Sequence, residues 1–245
     1  MKTIFLTGAN KGLGLEFTRQ YLEQGNRVIA TCRNKGKASE LMSLVTRYHG
    51  FLEIFHMDLA DFDSIRKLGK LLSKRGIDLF INNAATNAGY ITNSDQNVFG
   101  NLNPNIWTNV FSANCVAPLL LAEVLYLNIL MGNDKKMIFL SAKTASILDN
   151  TSGGFYMNRT ARTALNQSVK SLSIDLLKDK ISIAAISPGW VATDSGGVGI
   201  ANDSKRPKAL IDPKKSVSGM IKVIERLSLE KSGSFVDYKG QSIPW

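Results

Sequence analysis

The sequence predicts an α/β fold: a single doubly wound parallel sheet of seven strands flanked by helices, taking in residues 1–245 as one domain. Two observations carry this reading. Short apolar or β-branched runs alternate with amphipathic helical patterns along the chain, and strands joined by helices run parallel and are covered on both faces. A glycine-rich stretch, Thr7-Gly8-Ala9-Asn10-Lys11-Gly12-Leu13-Gly14, lies between the first such run and the first helical pattern. Open α/β sheets bind their ligands at the carboxyl ends of their strands, so each segment that follows a strand is a candidate for function.

Thr3–Leu6 is the first expected strand. Leu13, Phe17, Tyr21 and Leu22 then share one helical face, which Gly25 ends. Arg27–Thr31 reads as the second strand, Glu40–Tyr48 as a helix and Phe51–Phe55 as the third strand. Asp61 is expected to cap a helix carrying Ile65, Leu68, Leu71 and Leu72. Leu79–Ile81 is the fourth strand, and Asn87–Asn103 reads as a long polar loop. Asn105–Met131 is helical with a kink expected before Pro118. Met137–Leu140 is the fifth strand, Tyr156–Lys178 a long helix and Ile181–Ile186 the sixth strand. A substrate loop is placed at about 194–212, within which Gly196–Ile211 reads as a lid. Pro213 follows the cap Asp212, and Val217, Met220, Ile221, Ile224 and Leu227 mark one face of the next helix. Ser234–Val236 is the seventh strand.

Composition narrows the function classes. With 44% hydrophobic and 20% charged residues, long disorder is excluded. The two cysteines, Cys32 and Cys115, can form neither a disulfide framework nor a thiolate metal site, so no metal is expected and a reducing cytoplasm suits them. Met1–Leu6 is too short an apolar run for a secretory leader. Cys115–Met131 is the most apolar stretch, but it is interrupted by Pro118, Glu123 and Asn128, and a bilayer span needs roughly 20 mostly apolar residues. It reads as a buried or interface helix. The net charge of +10 is concentrated at Arg66, Lys67, Lys70, Lys74 and Arg75, and again at Lys205, Arg206, Lys208, Lys214 and Lys215. A nucleic-acid surface is one reading of these clusters; solvated helix and loop faces are the other. The second is favoured, because no aromatic residues interleave them.

The glycine-rich stretch is where chemistry becomes legible. Gly8 permits a sharp turn out of the strand, Gly12 lets the backbone approach a pyrophosphate, and Gly14 lets the helix pack closely. The helix N-terminus then offers N–H groups and the positive end of its dipole to phosphate oxygens. A dinucleotide whose ribose carries free hydroxyls calls for an acid at the end of the second strand. Here that segment reads Ala30-Thr31-Cys32-Arg33-Asn34-Lys35. The fork of Arg33 suits a 2′-phosphate, and Lys11 adds a second positive charge, so NADP is expected over NAD.

With these motifs in place, the sequence resembles the short-chain dehydrogenase/reductase family over nearly its whole length. Thr7–Gly14 is similar to the family's cofactor motif, Asp58-Leu59 to its adenine-side pair, and Asn82-Asn83-Ala84-Ala85 to its Asn-Asn-Ala-Gly, with Ala85 in place of Gly. Asn114 is similar to the Asn of the catalytic tetrad. Ser187-Pro188-Gly189-Trp190-Val191-Ala192-Thr193-Asp194 resembles the turn on the nicotinamide side. The closing Gly233–Tyr238 and Ile243-Pro244-Trp245 look like the carbonyl-reductase-like branch that includes the C-factor proteins. The resemblance implies a Rossmann fold, an oxidoreductase lineage and a dinucleotide held by Gly8, Asn10, Lys11, Gly12, Leu13, Gly14, Arg33, Asp58, Leu59, Asn83, Ala84, Ala85, Arg162, Pro188, Gly189, Val191 and Thr193. It also implies a homo-oligomer through helices 113–131 and 156–178, and a small carbonyl or alcohol substrate.

One departure changes the expected chemistry. The family uses a Ser after the fifth strand and Tyr-x-x-x-Lys on the next helix, where four residues make about one turn. The Tyr protonates the carbonyl oxygen, the Lys lowers its pKa and binds the ribose, and the Ser orients the carbonyl. Gly153-Gly154 and Ala164-Leu165-Asn166 fix the register of the helix, so that Asn158 stands at the Tyr position and Arg162 at the Lys position, and Leu140-Ser141-Ala142 followed by Ser146-Ile147 puts Ala142 at the Ser position. Only Asn114 of the tetrad remains. Tyr156 lies about 200° around the helix from Asn158, and Ser141 is one strand step from Ala142, which reverses its direction. A carboxamide has no titratable proton, and losing a positioned acid typically costs about 10²–10⁴-fold in rate. The expectation is an NADP(H)-binding family member whose usual hydride transfer is lost or very slow. Two alternatives stand beside it: an active NADPH-dependent carbonyl reductase with a non-standard acid, and a basic nucleic-acid binder. Lys143, Trp190 and Trp107 are candidates for the cavity wall, with core packing preferred for Trp107.

Overall fold

A computed structural model describes residues 1–86, 97–193 and 210–245. Seven parallel strands form the main sheet: β1 (Thr3–Leu6), β2 (Arg27–Cys32), β3 (Leu52–His56), β4 (Leu79–Asn82), β7 (Lys136–Leu140), β8 (Ser182–Ser187) and β9 (Ser234–Asp237). They lie in the order β3-β2-β1-β4-β7-β8-β9. The direction of winding reverses between β1 and β4, which opens a crevice at their carboxyl ends. All seven expected strands are present, with ends shifted by at most one residue. The helices are α1 (Gly12–Glu23), α2 (Ser39–Arg47), α3 (Phe62–Leu72), α4 (Pro104–Phe111), α5 (Ala117–Met131), α6 (Tyr156–Asp175) and α7 (Pro213–Glu225).

Alternation along the strands builds two cores. Ile4 and Leu6 of β1, Leu79 and Ile81 of β4, and Ile138 and Leu140 of β7 point to the face covered by α1, α2 and α7. Phe5, Phe80, Met137 and Phe139 point to the opposite face, covered by α3, α5 and α6. The rings of Phe5, Phe80 and Phe139 cross three neighbouring strands with centroids 5.8 and 5.6 Å apart. Each fully buried phenylalanine contributes about 2–3 kcal/mol.

Polar caps register the helices on the sheet. Asp61 accepts from the Ser64 N–H at 3.0 Å, and Asp212 from the Lys215 N–H at 3.1 Å, as expected from sequence. Asn128, in the middle of the apolar stretch, is buried because it caps the end of α3, donating to the carbonyls of Leu72 and Arg75. Lys136 is buried for a similar reason: its Nζ donates to the carbonyls of Ile224 and Glu225 at the end of α7.

Four expectations need correction. The stretch read as the polar loop Asn87–Asn103 contains a small antiparallel hairpin, β5 (Asn97–Val98) with β6 (Asn101–Leu102). It turns on Gly100 at φ 97°, and such two-residue strands are too short to leave a periodic signal. The helix expected from Asn105 starts at Pro104, because Asn103 caps it through the N–H groups of Asn105 and Ile106. The kink expected before Pro118 is a π-helical turn, Ser112–Val116, in which the Ala117 N–H reaches back to the Ser112 carbonyl. Pro118 has no N–H to give to the Asn114 carbonyl four residues earlier, so the helical register yields there. The sequence places a substrate loop at about 194–212, but Leu210–Asp212 is already tied down: Val191 and Ile211 form a parallel bridge, and Asp212 caps α7. Asp194, the part of the expected lid before Leu210, and Lys205, Arg206 and Lys208 lie outside the described residues. So do residues 87–96.

One continuous helical run, Pro104–Met131, is long and apolar enough to cross a membrane by length and composition, and half of its most apolar window is buried inside the fold. Leu121, Leu125 and Ile129 face the core, which makes it a core helix.

Candidate functional site

The crevice between β1 and β4 is built by the glycine-rich loop and by Asn83-Ala84. Gly8 leaves β1 with φ 68°, in the left-handed region that a Cβ disfavours. A Cβ on Gly14 would overlap the Gly8 carbonyl oxygen and lie 2.6 Å from Nδ2 of Asn83. The Asn83 Nδ2 donates to the carbonyls of Thr7 and Gly8 at 2.9 and 3.1 Å. The N–H groups of Asn83 and Ala84 both donate to Thr7 Oγ1. Two strand ends thus hold one loop in a fixed shape.

That shape suits an anionic ligand. Helix α1 opens at Gly12 after the extended N-cap Lys11, which makes no side-chain capping bond, and its first turn carries no acid. No acid of that first turn offsets the positive end of the helix dipole. Ala9 N–H donates to the Thr31 carbonyl at 2.9 Å, bringing the end of β2 beside the loop. Arg33 follows, exposed, and the short turn Lys35–Lys37 adds two further exposed cations. Burial pushes the neighbouring Cys32 thiol above its usual range. Asp58 accepts from the Ala60 N–H at 3.0 Å in a local turn after β3, and Leu59 is buried beneath it. Asn10, Leu13 and Ala85 lie in these same segments.

On the far side, Pro188 and Gly189 follow β8. Ser216 donates to the Pro188 carbonyl at 2.7 Å, which ties this turn to α7. Ala192 N–H and the Ile211 carbonyl, and Ile211 N–H and the Trp190 carbonyl, are each paired at 2.9 Å. A Cβ on Gly12 would lie 3.5 Å from Thr193, so the two loops meet across the crevice. The Trp190 Nε1 is buried without a hydrogen-bond partner among the described residues.

The residues expected at the tetrad positions lie on the π-helical turn, on α6 and just after β7. Asn114, on the π-helical turn, exchanges two hydrogen bonds with the backbone of Thr86, at 2.8 and 2.9 Å. Asn158, Arg162 and Asn166 are spaced four apart on α6 and share a face. Asn158 is 1% exposed and accepts from Nδ2 of Asn97 at 3.3 Å. Arg162 Nη1 donates to the Leu140 carbonyl at 2.7 Å. Ser141 turns inward and donates to Asn166 Oδ1 at 2.7 Å. The strand ends at Leu140, yet this hydroxyl is committed to the core while Ala142 stands beside it. Tyr156 is half-buried at the first position of α6.

The remaining candidates divide. Lys143 points outward and pairs with Asp149 at 3.4 Å, so it is no wall residue. Trp107 is half-buried: its Nε1 donates to Thr160 Oγ1, and it packs on Val110, Met157 and Ala161, at the junction of α4 and α6. Two partners had no sequence signal. Asn97 lies in a hairpin that leaves no periodic signal, and Thr86 meets Asn114 through its backbone.

Of the two basic clusters, the first lies on the outer side of α3. There Arg66 pairs with Asp63, and just beyond the helix Arg75 pairs with Glu53.

Residues 2–199 match the short chain dehydrogenase family. The C-signal protein of Myxococcus xanthus is 31% identical over 69% of this chain and 93% of its own length. The 1-hydroxy-2-glutathionyl-2-methyl-3-butene dehydrogenase of Rhodococcus sp. strain AD45 is 29% identical over the full length of both. The crystal structure of an NADPH-bound carbonyl reductase from chicken fatty liver superposes with a TM-score of 0.87 at 30% identity, covering all of this chain and 99% of that one. The matched profile, the seven-stranded sheet and the crevice at its switch point together make this chain a member of the short chain dehydrogenase family, in its carbonyl-reductase-like branch.

Proposed function

We propose that this protein binds NADP(H) and has lost, or retains only in very slow form, the carbonyl–alcohol hydride transfer of its family. The observation that carries this reading is the state of Asn158. The residue at the acid position has no proton to give, is almost fully buried, and spends its carboxamide oxygen on Asn97.

The residues present fit the dinucleotide. The rigid loop Gly8–Gly14, its geometry fixed by Asn83 and Ala84, holds the pyrophosphate at the N-terminus of α1. Arg33 and Lys11 meet the 2′-phosphate, a reading supported by the exposed cations and by the carbonyl reductase neighbour described with NADPH. Asp58 and Leu59 border the adenine, and Pro188, Gly189, Val191 and Thr193 border the nicotinamide side. Bound NADPH supplies a hydride. The chain supplies Arg162 as a fixed cation for the ribose hydroxyls and Asn114 as a brace for the loop after β4. No side chain at positions 142, 158 or 162 is able to hand a proton to a substrate oxygen at neutral pH. The protein then works as a dinucleotide-dependent binder or sensor, or as a catalyst of a step that needs no general acid. Exposed Val116, Leu127 and Ile174 on the helices at 113–131 and 156–178 support self-association.

The test uses the unaltered chain. Fluorescence titration is expected to give saturable NADPH binding, at least tenfold tighter than NADH. Assays with varied aldehydes and ketones are expected to give no turnover above background. Rapid reduction of any of them, or failure to bind NADPH, overturns the proposal.

A further inference from the structure

Helix α6 carries the tetrad positions yet has no side-chain cap of its own. Its N-cap residue, Phe155, sits in the left-handed region at φ 50°, so the first N–H groups must find acceptors elsewhere. One acceptor comes from sixty residues away. Asn97 Oδ1 accepts from the Met157 N–H at 2.9 Å, and Asn97 Nδ2 donates to Asn158 Oδ1 at 3.3 Å. Asn97 is 4% exposed. A single carboxamide therefore bridges the first turn of α6 and the side chain at the acid position. Asn97 opens the hairpin β5–β6, whose other end runs into Asn103, the cap of α4. Trp107 of α4 in turn binds Thr160 of α6. The hairpin is thus held to α6 at Asn97 and, through α4, one turn further along.

We propose that Asn97 is a latch residue: its carboxamide locks the hairpin 97–102 onto Asn158 and so closes the place from which a reacting hydroxyl would act. This rests on the reading that position 158 no longer serves catalysis, and it adds a partner. A phenol at 158 needs its hydroxyl in the open crevice, whereas an amide at 158 pairs with the amide at 97. The two asparagines are a matched pair, and restoring one site without releasing the other leaves the position blocked.

The experiment is hydrogen–deuterium exchange on the full-length chain, read by mass spectrometry on peptides covering the hairpin and residues 156–160. Asn97→Leu keeps the branched outline of the side chain and removes both polar atoms. Asn97→Asp keeps an acceptor for Met157 N–H and a partner for a rotated Asn158 amide. Leu is expected to raise exchange in both peptides at least tenfold, and Asp to leave both near the wild-type rate. Asn158→Ala alone is expected to raise exchange in the hairpin, and combined with Asn97→Leu to add nothing further. Equal exchange in the Leu and Asp variants, or a hairpin indifferent to Asn158→Ala, overturns the latch. A second arm compares Ala142→Ser/Asn158→Tyr/Arg162→Lys with the same triple variant carrying Asn97→Gly as well. The quadruple variant is expected to reduce aldehydes at least tenfold faster, and equal rates, both at background included, overturn the proposal. Turnover by the unaltered chain would sink the functional reading while leaving the exchange result to stand or fall by itself.

Discussion

At Gly14 a single hydrogen in place of a methyl group decides whether the glycine-rich loop keeps its shape. Its missing Cβ is occupied by the Gly8 carbonyl and the Asn83 side chain, and neither is free to move, since Asn83 is bonded to Thr7 and Gly8. Gly14→Ala is expected to cost about 1–3 kcal/mol through overpacking, and to weaken NADPH binding because the loop must open; thermal unfolding and fluorescence titration measure the two effects. The cysteines make a second prediction. Burial raises the pKa of both Cys32 and Cys115, which lowers their thiolate fraction. Alkylation by iodoacetamide at pH 8 is expected to be slow in the folded chain and rapid in urea, read by mass spectrometry. Residue-level chemistry of this kind is partly legible in sequence. The glycines and Arg33 announce themselves by type and position, whereas the commitment of Ser141 to Asn166 depends on which way a side chain turns once its strand has ended.

Helices in this protein are fixed at their ends as much as along their faces. Asp61 and Asp212 each satisfy one N–H of a first turn, and both are readable because an acid precedes an apolar helical face. Replacing either by Ala is expected to cost about 1 kcal/mol, seen as a lower urea midpoint with an unchanged slope. Lys136 is the harder case. It occupies a strand position and caps a helix 88 residues away, so sequence marks it only as an odd charge beside an apolar run. Lys136→Met leaves the last carbonyls of α7 without that donor and is expected to destabilise by about 1–3 kcal/mol. The same limit hid the hairpin and the cap that Asn97 gives to α6. Short strands and long-range caps carry no period, and only the packing of α4 against α6 brings them together.

For the molecule as a whole, charge and buried phenols set the response to solution conditions. Burial, with Glu225 and Asp134 adding to it, pushes the Tyr21 phenol far above its usual range. A proton is therefore held more tightly in the folded state than in the unfolded one. Stability from this group is complete below the ordinary phenol value of about 10 and falls as pH rises beyond it, with the two buried thiols adding to the decline from about pH 8.5. Urea midpoints measured from pH 7 to pH 11 are expected to drop steadily above that point. The net charge of +10 acts at longer range. Association with NADPH is expected to slow as salt rises, since charges farther apart than a Debye length are screened. Arg33→Ala is expected to weaken NADPH about tenfold or more while leaving NADH nearly unchanged, read by parallel titrations.

The sequence by itself determined the strand–helix alternation, the glycine-rich loop and the residue types at positions 142, 158 and 162, because each is a local matter of apolar spacing, glycine placement or side-chain type. Only the tertiary structure decided what the residues at 158 and 162 bind. Asn158 meets Asn97, and Arg162 meets the end of β7, because the hairpin, α6 and the strand ends converge in space from parts of the chain far apart. No local preference encodes that meeting; the burial of two opposite sheet faces brings it about.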